Sequence, residues 1–189
     1  MLRLPSCGAI LAGAPRAGTL APRPVAPVLS PAMKGIDGTI GAGDAAAAGL
    51  HLQACAVPFR RDAGMICYLL VTSSSGDRWI FPKGIVDPGF TPAETALLEA
   101  HEEAGASGRL SAAPLARFER HKWGRAWDVW VYALACEEIA DDWLESWRQR
   151  RWAAFAEARN LVGKPFGRVL DAVHAALVAG DVPGLTGDD

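Results

Sequence analysis

Short apolar runs separated by turn-forming residues dominate the middle of the chain. A continuous apolar run from Met65 to Val71 is typical of a buried strand. Residues 128–136 alternate instead, with Val129 and Val131 facing one way and Trp130 facing the other. Further strands are predicted at 52–59, 78–81, 109–117 and 151–155. Strands therefore outnumber helices.

Two helices are predicted, one between strands and one near the end. Thr91 serves as the N-cap of the first helix, Pro92 occupies its first position, and Glu94 completes a capping box. Gly105 is a suitable stop signal. The second helix covers residues 166–179, where apolar positions recur at helical spacing. This order of elements predicts an α/β (α+β) sandwich with a mixed β-sheet.

The first fifty residues differ in composition from the rest. Ala, Gly and Pro make up about half of them, no acidic residue precedes Asp37, and all seven tryptophans lie later. Such a segment buries little, so we expect a flexible leader over 1–50, a folded domain over 51–180 and a tail over 181–189. A transit-like segment and an over-long start, with translation beginning at Met33, are the alternatives.

Charge and cysteine content exclude some functional classes. The net charge of −2 gives no overall attraction for nucleic acid, so no nucleic-acid partner is expected. No apolar run approaches the length of a membrane span. The four cysteines form no C-x-x-C pair and no zinc set with histidine, and they are expected to be reduced and mostly buried, which predicts a cytoplasmic protein.

The first helix carries three carboxylates on one side. Glu99, Glu102 and Glu103 stand at i, i+3 and i+4, where their mutual repulsion disfavours the helix. They also lie in its later half, where the helix dipole disfavours anions. An acidic run is most often a solvated face. A cluster with no basic residue in the helix also suits a hard cation such as Mg²⁺.

The helix and the loop before it match a known motif. Residues 84–90, seven further residues, and residues 98–106 resemble the Nudix box, G-x5-E-x7-R-E-U-x-E-E-x-G-U, in which U is aliphatic, without a gap. The resemblance implies the family's α/β/α sandwich and hydrolysis of a diphosphate bond with Mg²⁺ or Mn²⁺. Residues 79–84 and 147–152 are similar to the branch that includes diphosphoinositol-polyphosphate and diadenosine-polyphosphate hydrolases.

The resemblance assigns roles to individual residues. It implies that Glu99, Glu102 and Glu103 are catalytic residues and metal ligands, and that Gly84 contributes a backbone carbonyl to the metal. Glu99 would also position or deprotonate water. Many relatives dimerise, which makes a homodimer an expectation here. A fourth carboxylate, used by some members, is not assignable between Glu137, Glu138 and Glu145.

Two positions depart from the box. Phe90 stands at the first glutamate and Leu98 at the arginine that orients the residue matching Glu99. Our hypothesis is that the two apolar side chains pack together in place of a polar network, so that Leu98→Arg would destabilise the fold. The departures also leave a second interpretation open, a module that binds a phosphorylated ligand or partner without hydrolysing it.

Basic residues near the box are candidates for gripping a small phosphorylated substrate. The substrate-binding candidates are Lys83, Arg120, Lys122 and Arg125. A second basic group is Arg148, Arg150 and Arg151. A solvated surface is the alternative for each of these residues. A nucleotide-pool sanitiser and an ADP-ribose hydrolase are alternatives within the same class of hydrolase that differ in their substrate specificity.

Overall fold

The computed structural model describes Cys7, residues 51–122 and residues 124–185. Within these residues a mixed eight-stranded sheet lies between helices on both faces, as the sequence predicts. The strands are β1 (His51–Asp62), β2 (Met65–Thr72), β3 (Trp79–Ile80), β4 (Lys83–Ile85), β5 (Ala106–Leu110), β6 (Ala116–Lys122), β7 (Arg125–Ile139) and β8 (Arg150–Ala154). The helices are α1 (Pro92–Ala104), α2 (Phe155–Leu161) and α3 (Phe166–Ala179).

Strand β1 organises the sheet because it has different neighbours along its length. One edge pairs in parallel with β7, and the other pairs antiparallel with β4 at residues 53–55 and with β2 at residues 59–62. The main strand order is β3-β2-β1-β7-β5, with β6 on β7 and β8 on β2. The short β4 is therefore held against a buried strand, directly before the loop that leads into α1.

Alternation along the strands divides the apolar residues into two cores. The predicted alternation in β7 is confirmed: Val129 and Val131 lie in the core that includes α3, whereas Trp130 and Tyr132 lie in the core beneath α1. Both cores contain strand residues without exposed surface, together with residues of the helices. Helix α1 contributes small side chains to its core, namely Ala96, Ala100 and Ala104. Small side chains let the helix lie close to the sheet.

The predicted boundaries of α1 are confirmed. The Thr91 hydroxyl accepts a hydrogen bond from the Glu94 N–H at 3.2 Å, and the Glu94 carboxylate accepts one from the Thr91 N–H at 2.8 Å. Gly105 ends the helix with φ of +62°, a left-handed conformation that favours glycine. This end is fixed within two residues of Glu103, which limits the freedom of the acidic side chains.

Several predicted elements differ from those observed. The strand expected at 109–117 is two strands, β5 and β6, because residues 111–115 turn between them and the Ser111 hydroxyl donates to the Ala113 carbonyl at 2.8 Å. Residues 83–85, expected to be loop, form β4. Phe155, expected to end a strand, begins α2.

The prediction of reduced cysteines is wrong for one pair. Cys7 and Cys67 form a disulfide across 60 positions, while Cys55 and Cys136 are free thiols. The expected leader lies outside the described residues except for Cys7. In the expected tail, Val182 is buried in the core beside α3. Within the described residues, no helix combines the length and the apolar character needed to cross a membrane.

Candidate active site

The close approach of β4 to α1 builds the centre of the site. A Cβ atom at Gly84 would lie 1.7 Å from Glu99 Oε1 and 2.2 Å from Glu99 Cδ, so only glycine leaves room for this carboxylate. The Glu99 side chain thus lies directly against the backbone of β4. The sequence predicts that Glu99 supplies a carboxylate and Gly84 a backbone carbonyl, and the structure brings these two residues together.

Glu103 is held from two sides. Its Oε2 accepts the backbone N–H of Lys83 at 3.0 Å, and its Oε1 accepts Nη2 of Arg148 at 2.6 Å. The side chains of Glu103 and Arg148 are each only 6% exposed. A carboxylate buried to this extent requires such partners. Glu103 therefore has a fixed position one helical turn from Glu99.

Glu102 is the most open of the three carboxylates. Its backbone carbonyl accepts the N–H of Glu145 at 3.0 Å, which ties α1 to the segment between β7 and β8. Burial, with Glu145 nearby, raises the pKa of Glu102. Of the three candidates for a fourth carboxylate, Glu145 is the one that the structure brings near the acidic helix.

The charges of Glu102 and Glu103 act on Glu99. Burial raises the pKa of Glu99 to about 7, and repulsion from Glu103 and Glu102 adds to it. Burial also raises the pKa of Glu103, against the opposing effects of Lys83 and Arg148. Without a cation, the close negative charges therefore destabilise the protein, and a bound cation would reduce this destabilisation.

The donor set fits a hard divalent cation that keeps water ligands. Within the described part of the chain, no three His, Cys, Asp or Glu side chains converge as a complete metal-binding set. Mg²⁺ does not need one, because it is commonly held by one or two carboxylates together with waters and substrate phosphates. Glu99, which lies against Gly84, and Glu103, which accepts the Lys83 N–H, are carboxylates of the kind that such a site uses.

The predicted substrate-binding residues separate into two groups. Lys83 belongs to the centre, because its charge lowers the pKa of both Glu99 and Glu103. Arg120 and Arg125 lie on the hairpin of β6 and β7, and none of their described contacts reaches the glutamates. The Lys122 backbone is in the same hairpin, and its side chain lies outside the described residues.

Arg120 has an unusual setting for a surface arginine. It is partly buried, and both burial and the neighbouring Arg78 lower its pKa. Among the described ion pairs and side-chain hydrogen bonds, none involves the Arg120 guanidinium. Two guanidinium groups near each other, one of them without a carboxylate partner, form a basic surface that suits a phosphate.

Most of the second basic group is buried in the protein and is therefore not a surface for phosphate. Arg148 and Arg150 are buried, at 6% and 3% exposed, and they bind protein acceptors. Arg151 is partly exposed and pairs with Glu157. Sequence reasoning therefore misplaced Arg148 and missed its contact with Glu103. The only sign of this contact in the sequence was indirect. A helix with three close carboxylates and no basic residue needs a positively charged partner from another part of the chain.

Neither of the two departures from the box lies in an apolar core of the described residues. Phe90 is 51% exposed, and Leu98 belongs to neither apolar core. The hypothesis that Phe90 and Leu98 replace a polar network by mutual packing is therefore unsupported. Glu99 is instead positioned by its close contact with Gly84.

Known proteins show which family the chain belongs to. Residues 49–171 match the family model for the NUDIX domain, and the chain belongs to the Nudix hydrolase family. Diphosphoinositol polyphosphate phosphohydrolase 3-beta from Bos taurus is 36% identical, with 53% of this chain and 67% of that protein covered. Diphosphoinositol polyphosphate phosphohydrolase 2 from Rattus norvegicus is 36% identical, with 53% of this chain and 61% of that protein covered.

Solved structures share the fold. A C. elegans Ap4A hydrolase is 23% identical with a TM-score of 0.55, and 68% of this chain and 98% of that chain are covered. A NUDIX hydrolase from Nitrosomonas europaea is 18% identical with a TM-score of 0.56, and 72% of this chain and 93% of that chain are covered. These similarities establish the architecture. They do not identify the substrate, which has to be inferred from the site.

Proposed function

We propose that this Nudix hydrolase uses Mg²⁺ or Mn²⁺ to cleave a phosphoanhydride bond in a small nucleoside- or inositol-linked polyphosphate. The main support is the contact between Glu99 and Gly84, together with the fixed position of Glu103. Fold alone would not support an activity, because one fold serves many functions. The acidic group beside a glycine backbone is the specific feature.

The residues that would hold the cation are Glu99, Glu102, Glu103 and the backbone carbonyl of Gly84. When bound, the cation would neutralise the charge of the diphosphate and lower the pKa of a water molecule. The remaining chemistry belongs to the chain. Glu99 would accept the proton of the attacking water at its carboxylate, because this carboxylate lies against the Gly84 backbone at the centre of the site.

Lys83 would neutralise substrate charge beside the acidic group. Its backbone N–H holds Glu103, and its side-chain charge acts on both Glu99 and Glu103. A fixed positive group where charge develops in the transition state is among the strongest catalytic contributions. Lys83 would therefore contribute both to the position of Glu103 and to substrate binding.

The substrate is proposed to be highly phosphorylated. The curated relatives are named for diphosphoinositol polyphosphate, and a structural neighbour is named for Ap4A. Arg120, with Arg78 beside it, would bind phosphates away from the cleaved bond, and Lys122 and Arg125 would extend the same surface. A nucleic-acid partner is not proposed, because the chain has a net charge of −2.

A homodimer and a cytoplasmic location remain predictions. The homodimer is implied only by the resemblance to the family. The cytoplasmic location was inferred from reduced cysteines, and the Cys7–Cys67 disulfide removes that support.

A substrate panel tests the proposal. We would follow product release from a diphosphoinositol polyphosphate, diadenosine polyphosphates, ADP-ribose and nucleoside triphosphates, with Mg²⁺ and with chelator. Turnover of a polyphosphate in Mg²⁺ is expected, and it should collapse in Glu103→Gln but persist in Glu138→Gln. Glu138→Gln is the control because it makes the same chemical change at an exposed carboxylate on β7. Turnover that is equal in both variants would refute the assignment.

A second candidate function rests on Phe90 and Leu98. Their apolar side chains at two charged box positions favour a module that binds a phosphorylated ligand without hydrolysis. Binding of panel members without turnover of any, in the presence of Mg²⁺, would support this candidate and contradict the hydrolase.

A further inference from the structure

Arg148 connects three parts of the molecule through one guanidinium group. Its Nη1 donates to the carbonyl of Thr72 at 2.6 Å, and its Nη2 donates to Glu103 Oε1 at 2.6 Å. Its Nε donates to the carboxylate of Glu145. Arg148 therefore joins the end of β2, the acidic helix α1 and the segment before β8.

These contacts supply a cation that the acidic helix lacks. Helix α1 contains no Lys or Arg, and Leu98 stands where the Nudix box has its arginine. Among the described ion pairs, the one between Glu103 and Arg148 is the only pair that involves a carboxylate of α1, and both side chains are 6% exposed. The partner of Glu103 thus comes from 45 positions later in the chain.

We propose that Arg148 is a positioning residue, which fixes the Glu103 carboxylate so that it binds the divalent cation. A carboxylate offers about four lone-pair sites. The Lys83 N–H and Arg148 each use one, so Glu103 keeps capacity for a cation. This inference rests on the proposed function, since it concerns the same site.

Other roles for Arg148 make different predictions. If its positive charge merely competed with the cation, removing it would tighten cation binding. If it bound substrate phosphate, removing it would raise KM for substrate and leave cation affinity unchanged. If it only stabilised the fold, its loss would have the same effect as the loss of any equally buried arginine.

Arg150 is a matched control for burial and hydrogen bonding. It is 3% exposed, and its Nη1 donates to the carbonyls of Ala104 and Ala140, each at 2.8 Å. In the described hydrogen bonds it has no carboxylate partner. Arg150→Met therefore removes a buried guanidinium two residues from Arg148, at the start of β8, without releasing Glu103.

The experiment compares Arg148→Met, Arg148→Lys and Arg150→Met in the full chain. We would measure Mn²⁺ and Mg²⁺ binding by calorimetry, melting temperature in chelator, and KM and kcat on whichever panel substrate the wild-type protein hydrolyses. Arg148→Met is expected to weaken cation binding by roughly 10- to 100-fold, as is typical for groups that orient metal ligands. It should lower kcat more than it raises KM.

The conservative variant and the control define the outcomes. Arg148→Lys should recover part of the affinity, because it keeps the charge but cannot serve three acceptors with one rigid fork. Arg150→Met should melt at a lower temperature and keep cation affinity within about twofold of wild type, since no metal-ligand contact is lost. If Arg148→Met does not fold, Arg148→Lys against Arg150→Met supplies the same comparison.

Unchanged or tighter cation binding in the Arg148 variants would overturn the inference, and so would an equal loss in Arg150→Met. Either result leaves the proposed function intact when the wild-type protein binds the cation and turns over substrate. A wild-type protein that binds neither Mn²⁺ nor Mg²⁺ would instead overturn the proposed function, and this inference with it.

Discussion

Replacing Gly84 by alanine adds a methyl group where the Glu99 carboxylate now lies. The added Cβ would be 1.7 Å from Glu99 Oε1, whereas ordinary contacts begin at 3.4 Å, so the oxygen must retreat by about 1.7 Å (3.4 − 1.7). The clash involves the end of a flexible side chain, so the fold is expected to survive. The position of Glu99 is not expected to survive.

A displacement of this size has a large catalytic effect. Misplacement of a catalytic group by ~1 Å can cost about 100-fold in rate, so we expect Gly84→Ala to lower kcat/KM by at least ~100-fold. That loss corresponds to ~2.7 kcal/mol of transition-state stabilisation. The assay is initial-rate hydrolysis of the best panel substrate at saturating Mg²⁺, with melting temperature measured in parallel.

Gly163→Ala is the control for this prediction. A Cβ at Gly163 meets nothing within 4 Å, and its backbone is not in the left-handed region. Its activity should equal that of wild type. Full activity of Gly84→Ala, with an unchanged melting temperature, would show that the Glu99 position is irrelevant to turnover and would refute the reasoning.

Three further predictions test other parts of the account. Arg120→Met should raise KM by roughly tenfold with cation affinity unchanged, since a charged hydrogen bond to phosphate is worth about 1.5–3 kcal/mol. The control is Arg109→Met, because Arg109 is an exposed arginine that pairs with Glu137. Equal KM values in the two variants would contradict the role of Arg120. The double variant Phe90→Glu/Leu98→Arg should melt within about 2 °C of wild type because Phe90 is half-exposed, and a larger fall would restore the packing hypothesis. Burial lowers the pKa of His174, whose Nδ1 lies 2.7 Å from the Tyr68 hydroxyl, so the stability that neutral His174 contributes is present above its unfolded-state pKa and is lost as pH falls. The drop in melting temperature from pH 8 to pH 5.5 should therefore be smaller in His174→Gln than in wild type. Equal drops in the two proteins would contradict this prediction.

Local signals made α1 and its carboxylates predictable. The capping box, the proline at the first position and the glycine stop all act within a few residues, so the helix register follows from the sequence alone. That register places Glu99 and Glu103 one turn apart. The alternation of β7 was predictable for the same reason, because each residue faces the side opposite to its neighbour.

Features that depend on distant partners were not predictable. The three residues of β4 form a strand only because β1, about thirty positions earlier, pairs with them. Arg148 meets Glu103 across 45 positions, and Cys7 meets Cys67 across 60. Neither spacing carries a local signal, and cysteine connectivity cannot be deduced from sequence. The break between β5 and β6 was missed because the turn at residues 111–115 interrupts an otherwise strand-like segment.

The most direct test of the central claim is initial rate against free Mg²⁺ concentration, for wild type and for Glu99→Gln, Glu102→Gln, Glu103→Gln and Glu138→Gln. The account predicts no turnover in chelator, saturable recovery with Mg²⁺, strong loss in the variants at 99, 102 and 103, and wild-type behaviour at 138. Turnover that continues in chelator, or that is unaffected by the first three substitutions, would contradict it.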